Sequence, residues 1–209
     1  VCEFLGKDIK DMRIITCHIG NGASVSAVKG GKCVDTSMGL TPLEGLMMGT
    51  RSGDIDASVV TFLMEKLHKT PQEMSDYLNK ESGVLGITGI SSDMRDIENA
   101  AAEGNKRAQL ALQMYDYRIK KYIGAYAAAM GGVDIIVWTA GVGENQIGTR
   151  LAACSNLEFL GVKMDAEANK VRGKEAIISA PDSKVTVCVI PTDEEIVIAR
   201  DTMRLVNGK

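Results

Sequence analysis

The apolar positions of the chain follow two periods. Arg13–Cys17 (RIITC) is a short β-branched run and reads as a buried strand. Residues Ala23–Val28 alternate (A-S-V-S-A-V), Lys29–Lys32 supplies a glycine turn, and Cys33–Thr36 resumes extended chain. Period-2 alternation around a glycine turn predicts strand, turn, strand. The period then lengthens. Ile55, Val59, Phe62, Leu63 and Leu67 recur at helical spacing, and Thr70-Pro71-Gln72-Glu73 opens a second helix as a capping box. Asp93–Glu103 reads as a short helix ended by Gly104. Asn105–Met130 carries the longest helical pattern, through Ala108, Leu112, Tyr115, Ile119, Tyr122, Ile123 and Tyr126. Asp134–Thr139 (DIIVWT) and Val185–Ile190 (VTVCVI) are further strands, and Thr192–Glu195 caps a last helix through about Val206. Between these elements, Leu43–Asp54 and Gly83–Ser91 read as glycine-broken loops.

Strands feeding helices predict a layered α/β domain with a mixed sheet and a large helical insertion over about 55–130. The first glycine turn, Gly20–Gly22, leads into another strand. A dinucleotide-binding Rossmann loop or a P-loop leads into a helix, so both are disfavoured there.

Composition narrows the classes. The 209 residues are 45% apolar and 24% charged, as in a soluble globular protein. A net charge of −3 gives no basic excess for nucleic acid. The longest uncharged helical stretch, Tyr122–Val133, falls short of the roughly 20 residues of a membrane span. Glu3, Lys7 and Asp8 interrupt any signal peptide, so no membrane role is expected. Five cysteines without a CxxC pair, beside two histidines, disfavour a zinc cluster and fit a reducing, cytoplasmic setting. Val1–Asp11, with no cap before it, reads as the interior of a longer chain.

Five polar segments could carry chemistry. His18-Ile19-Gly20-Asn21-Gly22 places small residues at a strand-to-strand turn, whose N–H groups can form an anion nest. An ordinary glycine hairpin explains the same residues. Gly141-Val142-Gly143-Glu144-Asn145 joins a strand to a helix N-terminus, which favours anions but is also explained by capping. Arg51 sits among Gly49 and Gly53, where a guanidinium can grip phosphate or carboxylate, or simply pair with Asp54 or Asp56. Asp93-Met94-Arg95 reads as a ligand segment or an acidic helix start, and Glu194 as a cation-linked carboxylate or a first-turn acid.

Taken in order, HIGNGAS, TSMGLTPLEGLMMGTRSGDID, SGVLGITGISSDMRD, DIIVWTAGVGEN and IPTDEE resemble the C-terminal half of the acetate kinase family. The resemblance spans essentially residues 1–209 and implies the ribonuclease-H-like fold of the acetate and sugar kinase, heat-shock chaperone and actin superfamily. It implies a C-terminal nucleotide-binding domain acting on ATP and acetate to give ADP and acetyl phosphate, with magnesium or manganese, in a homodimer. By the same resemblance, His18, Ile19, Gly20, Asn21 and Gly22 clasp phosphates, with Asn21 near the transferred phosphoryl group. Arg51 steadies the transition state and the substrate carboxylate, and Glu194 links to the metal. Asp93, Met94 and Arg95 flank the adenosine, opposite Gly141, Val142, Gly143, Glu144 and Asn145. The family's first phosphate loop, catalytic aspartate and most of its acetate pocket have no counterpart in these residues, so the chain alone is expected to be inactive. A propionate kinase and a non-catalytic nucleotide-binding module are the alternatives. The TRSGD loop argues against the second, since a nucleotide clamp needs no further anion-binding arginine.

Overall fold

In the computed structural model, which describes residues 1–208, the expected hairpin forms the middle of the sheet. After a one-turn helix α1 (Cys2–Leu5), strand β1 (Arg13–Ile19) pairs antiparallel with β2 (Ala23–Lys29), Ile19 facing Ala23 across the turn. Strand β3 (Lys32–Thr36) pairs antiparallel with β2 at the sheet edge. Five helices follow: α2 (Ala57–Leu67), α3 (Pro71–Lys80), α4 (Gly83–Thr88), α5 (Met94–Ala102) and α6 (Lys106–Met130). Strand β4 (Ile135–Thr139) runs parallel to β1, and helices α7 (Ala140–Asn145) and α8 (Ile147–Cys154) follow it. Strand β5 (Ala176–Ile177), strand β6 (Thr186–Val189) and helix α9 (Glu194–Val206) complete the order. The sheet reads β3-β2-β1-β4-β6-β5, with β1, β4 and β6 mutually parallel.

One face of the sheet packs on α6, which buries Ala108, Ala111, Tyr115, Ile119, Ile123, Tyr126, Ala127 and Met130 against Ile15, Cys17, Val25 and Trp138. Of the expected stripe, Ala108, Tyr115, Ile119, Ile123 and Tyr126 are buried, while Leu112 and Tyr122 are half-buried at its margin. The opposite face is thinner: Ile14, Ile135, Val137 and Cys188 are covered by Val1, Cys2 and Leu5 of the N-terminal turn. The mixed sheet between helices agrees with the expected α/β class.

Two expectations need correction, and one helix forms as expected without burying its apolar face. Gly83–Ser91 is not a loop throughout, because α4 forms there. Its first N–H groups are held by the loop before it, Val84 N donating to Met48 O and Leu85 N to Gly49 O (2.9 Å each). Residues 141–145 do not precede a helix; they are α7 itself. Helix α2 has the expected period but buries no residue, leaving Val59, Phe62 and Leu67 exposed.

Candidate functional site

The carboxyl ends of β1, β4 and β6 point to one edge of the sheet, where α/β proteins place ligands. The β1–β2 turn lies there. Gly20 N–H folds back onto Gly22 O at 3.0 Å. Among the described residues, the N–H groups of the exposed Asn21 and Gly22 donate to no protein acceptor. His18 is half-buried in β1, paired with Ser24 and Thr139, and Ile19 is buried in the core, so both support the turn from beneath.

The Arg51 loop closes over this turn. Met48 N donates to Arg51 O (3.1 Å), Ser52 N to Leu78 O and Ser82 N to Thr50 O (3.0 Å each), so α3 and α4 fix the backbone on both sides of Arg51. Gly83 makes that approach possible: its φ of +61° is left-handed, and a Cβ there would stand 2.7 Å from Arg51 O. Gly49 has a similar role, since a Cβ would collide with Asn21 Oδ1 and stand 2.8 Å from Ser92 O. The Arg51 guanidinium arrives beside the turn, with Nη1 3.3 Å from where a Cβ on Gly22 would be. It donates to Pro42 O (3.3 Å) and makes no ion pair among the described residues. Of the two acids that could have paired with it, Asp54 is engaged by Arg118 and Tyr122 (2.8 Å each) and by Gly45 N (2.9 Å), and Asp56 caps α2.

Next to the turn opens a cavity of about 700 Å³. One wall is Ser92, Asp93, Met94, Arg95 and Glu98 of the α5 start; the other is Gly141, Val142, Asn145 and Gln146, with Arg172 beside them, and Gly20 and Asn21 complete the rim. Asp93 caps α5 through Arg95 N (2.9 Å) and grips the Arg95 guanidinium (2.5–3.2 Å), which holds its carboxyl down at about 2. Asp93 therefore does serve as a helix cap, and it lines the cavity as well.

Helix α7 begins abruptly. Ala140 has φ of 64°, a left-handed conformation uncommon for alanine, and its N–H donates to Thr192 Oγ1 (3.0 Å). Gly143 is buried beneath the wall, and Glu144 turns away to accept from Thr192 N (2.9 Å). Of the five residues expected to face the ligand from this side, Gly141, Val142 and Asn145 line the cavity. Glu144 instead ties α7 to the segment leading into α9. That segment carries Glu194, which is exposed in the first turn of α9 behind the Asp193 cap. Among the described residues no cluster of three or more His, Cys, Asp or Glu could cage a metal. A lone exposed carboxylate fits magnesium only where phosphate and water supply the other ligands.

Sequence reasoning passed over Glu98, Gln146 and Arg172, which line the cavity, and Arg150, which does not. Arg150 is fully buried and holds the α7 wall from behind: Nη1 donates to Gly143 O, Nε to Asn169 Oδ1, and Nη2 to the carbonyls of Asn169 and Val171 (2.6–2.9 Å). The only available signal was an arginine within the otherwise apolar IGTRLAAC.

Residues 1–200 match the family model described as the acetokinase family. An acetate kinase of Phocaeicola vulgatus is 69% identical over 207 residues, which are 99% of this chain and 52% of that protein. An acetate kinase of Thermotoga maritima is 65% identical over 207 residues, 98% of this chain and 51% of that protein. Among solved structures, Porphyromonas gingivalis acetate kinase superposes with a TM-score of 0.96 at 60% identity, covering 98% of this chain and 52% of that one. A propionate kinase from Francisella tularensis gives 0.88 at 39% identity, covering 96% and 50%. The chain spans about half the length of the curated relatives it matches.

Proposed function

Because the chain belongs to the acetokinase family, we propose that it supplies the nucleotide-binding half of an enzyme transferring a phosphoryl group between ATP and acetate. The observation that carries this reading is Arg51, a guanidinium fixed by backbone contacts beside the glycine turn and left without a carboxylate partner among the described residues. A free planar cation next to unpaired N–H groups suits an anion that gains charge during reaction.

In the proposed reaction a carboxylate oxygen of acetate attacks the γ-phosphorus in line, and the bond to the β-phosphate oxygen breaks as ADP leaves. Such transfer needs positioning and charge neutralisation more than covalent help. The turn from His18 to Gly22 holds the phosphates, with Asn21 nearest the transferred group. Asp93, Met94 and Arg95 on one wall, and Gly141, Val142 and Asn145 on the other, enclose the adenosine. Glu194 would share a magnesium ion with the phosphates, which would neutralise part of their charge. A homodimer belongs to the same proposal, and the exposed apolar face of α2 is available for it. Acetate is preferred over propionate as substrate because the acetate kinases quoted are 60–69% identical and the propionate kinase 39%.

The test is to join the chain to the remaining half of a curated relative and assay acetyl phosphate formation. Arg51→Ala should lower kcat by about 10³–10⁵ with little change in melting temperature. Arg51→Lys should recover little, because it loses the planar fork. Near-normal kcat in either variant removes Arg51 from the mechanism.

A further inference from the structure

The cavity wall holds two carboxylates, and they are used differently. Asp93 is saturated by the backbone N–H and guanidinium of Arg95. Glu98 lies farther along α5, half-buried, and makes no ion pair among the described residues. The Gln146 amide and the Arg172 guanidinium share the cavity lining with it, and the Asp116 carboxyl on α6 stands near enough to repel it. Gln146 is itself 5% exposed, and its Oε1 accepts from Thr149 Oγ1 at 3.2 Å. That contact orients the amide, so the Nε2 end is the one left for Glu98. A carboxylate offers about four lone-pair sites, so a single amide donor leaves acceptor capacity for a ligand in the cavity that both residues line.

An acceptor carboxyl in this wall repels phosphate and welcomes a neutral donor. The phosphate-binding groups, the N–H pair of Asn21 and Gly22 with Arg51, stand at the β1–β2 turn, on a different element from Glu98. A nucleotide anchored there would bring its uncharged nucleoside part between α5 and α7. We propose that Glu98 is a specificity-determining residue that accepts a hydrogen bond from a neutral donor on the nucleoside, either the purine amino group or a ribose hydroxyl. This rests on the reading of the cavity as a nucleotide site. Burial, which holds the Glu98 carboxyl above its ordinary range, agrees with a site shielded from bulk water.

Calorimetric titration of the whole chain with ADP, IDP and 2′-deoxy-ADP tests it, in the wild type, Glu98→Ala and Glu98→Gln. IDP lacks the amino group and 2′-deoxy-ADP lacks one hydroxyl, so the two arms separate the sources of the donor. The wild type should bind ADP about ten- to a hundredfold more tightly than one of these analogues. Glu98→Ala should weaken ADP by that factor and erase the preference, and Glu98→Gln, which keeps a carbonyl acceptor, should restore part of it. Equal affinity for all three ligands in the wild type overturns the proposal. So does a preference that survives unchanged in Glu98→Ala. Failure of the wild type to bind ADP at all would instead overturn the nucleotide reading, and the role of Glu98 with it.

Discussion

The two walls of the cavity are built by opposite means. The α5 wall is fastened at the surface, where Asp93 caps the helix and clasps the exposed Arg95. The α7 wall is fastened from the interior, where Arg150 gathers Gly143, Asn169 and Val171 around a buried guanidinium with no carboxylate partner. Surface ion pairs contribute little and yield readily, whereas orphaning buried carbonyls is costly. One wall can therefore adjust to a ligand while the other serves as a fixed template.

Removing the interior fastening should have the largest effect. Arg150→Met leaves the Gly143, Asn169 and Val171 carbonyls without their donor, and should cost about 3–5 kcal/mol in urea unfolding. Loss of no more than about 1 kcal/mol would mean that the two walls are equally soft. Burial pulls the Arg150 guanidinium down to about 10, so it remains charged at neutral pH and the loss should not vary between pH 6 and 8.

Helix α6 carries Asp116, whose Oδ1 is buried without a partner and whose carboxyl is pushed up to about 7, chiefly by burial. The folded state then binds a proton that the unfolded chain, with an ordinary value near ~3.9, releases earlier. Stability should fall as pH rises from about 4 to 7, and Asp116→Asn should remove that slope, gaining about 2–3 kcal/mol at pH 8. An unchanged slope would place Asp116 in contact with water.

The surface fastening should give the smallest effect, with the opposite sign. The Asp93 carboxyl is depressed to about 2 by Arg95, so its contribution is present above about pH 4 and fades as pH falls toward 2. Melting curves of the wild type and Asp93→Asn should converge over that window. A gap that persists at pH 2 would show that the cap does not depend on charge.

The sequence disclosed the hairpin, α6 and the caps at Thr70 and Asp93 because each has a local cause: alternation, a 3.6 period, or a side chain accepting from the next turn. It misjudged what depends on distant partners. Helix α4 is short and glycine-rich, and its N-terminus is completed by Met48 and Gly49. Helix α2 shows that a helical period reports an apolar face without reporting what covers it. At the site, the loops holding Asn21, Gly141 and Arg51 stood out through glycine spacing and charge, while the roles expected of them came from the family resemblance. Glu98 and Gln146 did not, since an acid on a helix and an amide between two helices look like ordinary surface residues until the walls are brought together.

The central claim, that the cavity between these walls takes a nucleotide, is tested most directly by melting the chain with ADP beside Gly141→Arg. A Cβ at Gly141 meets no atom within 4 Å, so the new side chain can extend into the cavity without disturbing the fold. At a hundredfold excess over Kd, ADP should stabilise the wild type by about 2.7 kcal/mol, roughly 5–11 °C for a chain of this size. Gly141→Arg should melt normally and show no shift. No wild-type shift at millimolar ADP, or an equal shift in Gly141→Arg, would contradict the account.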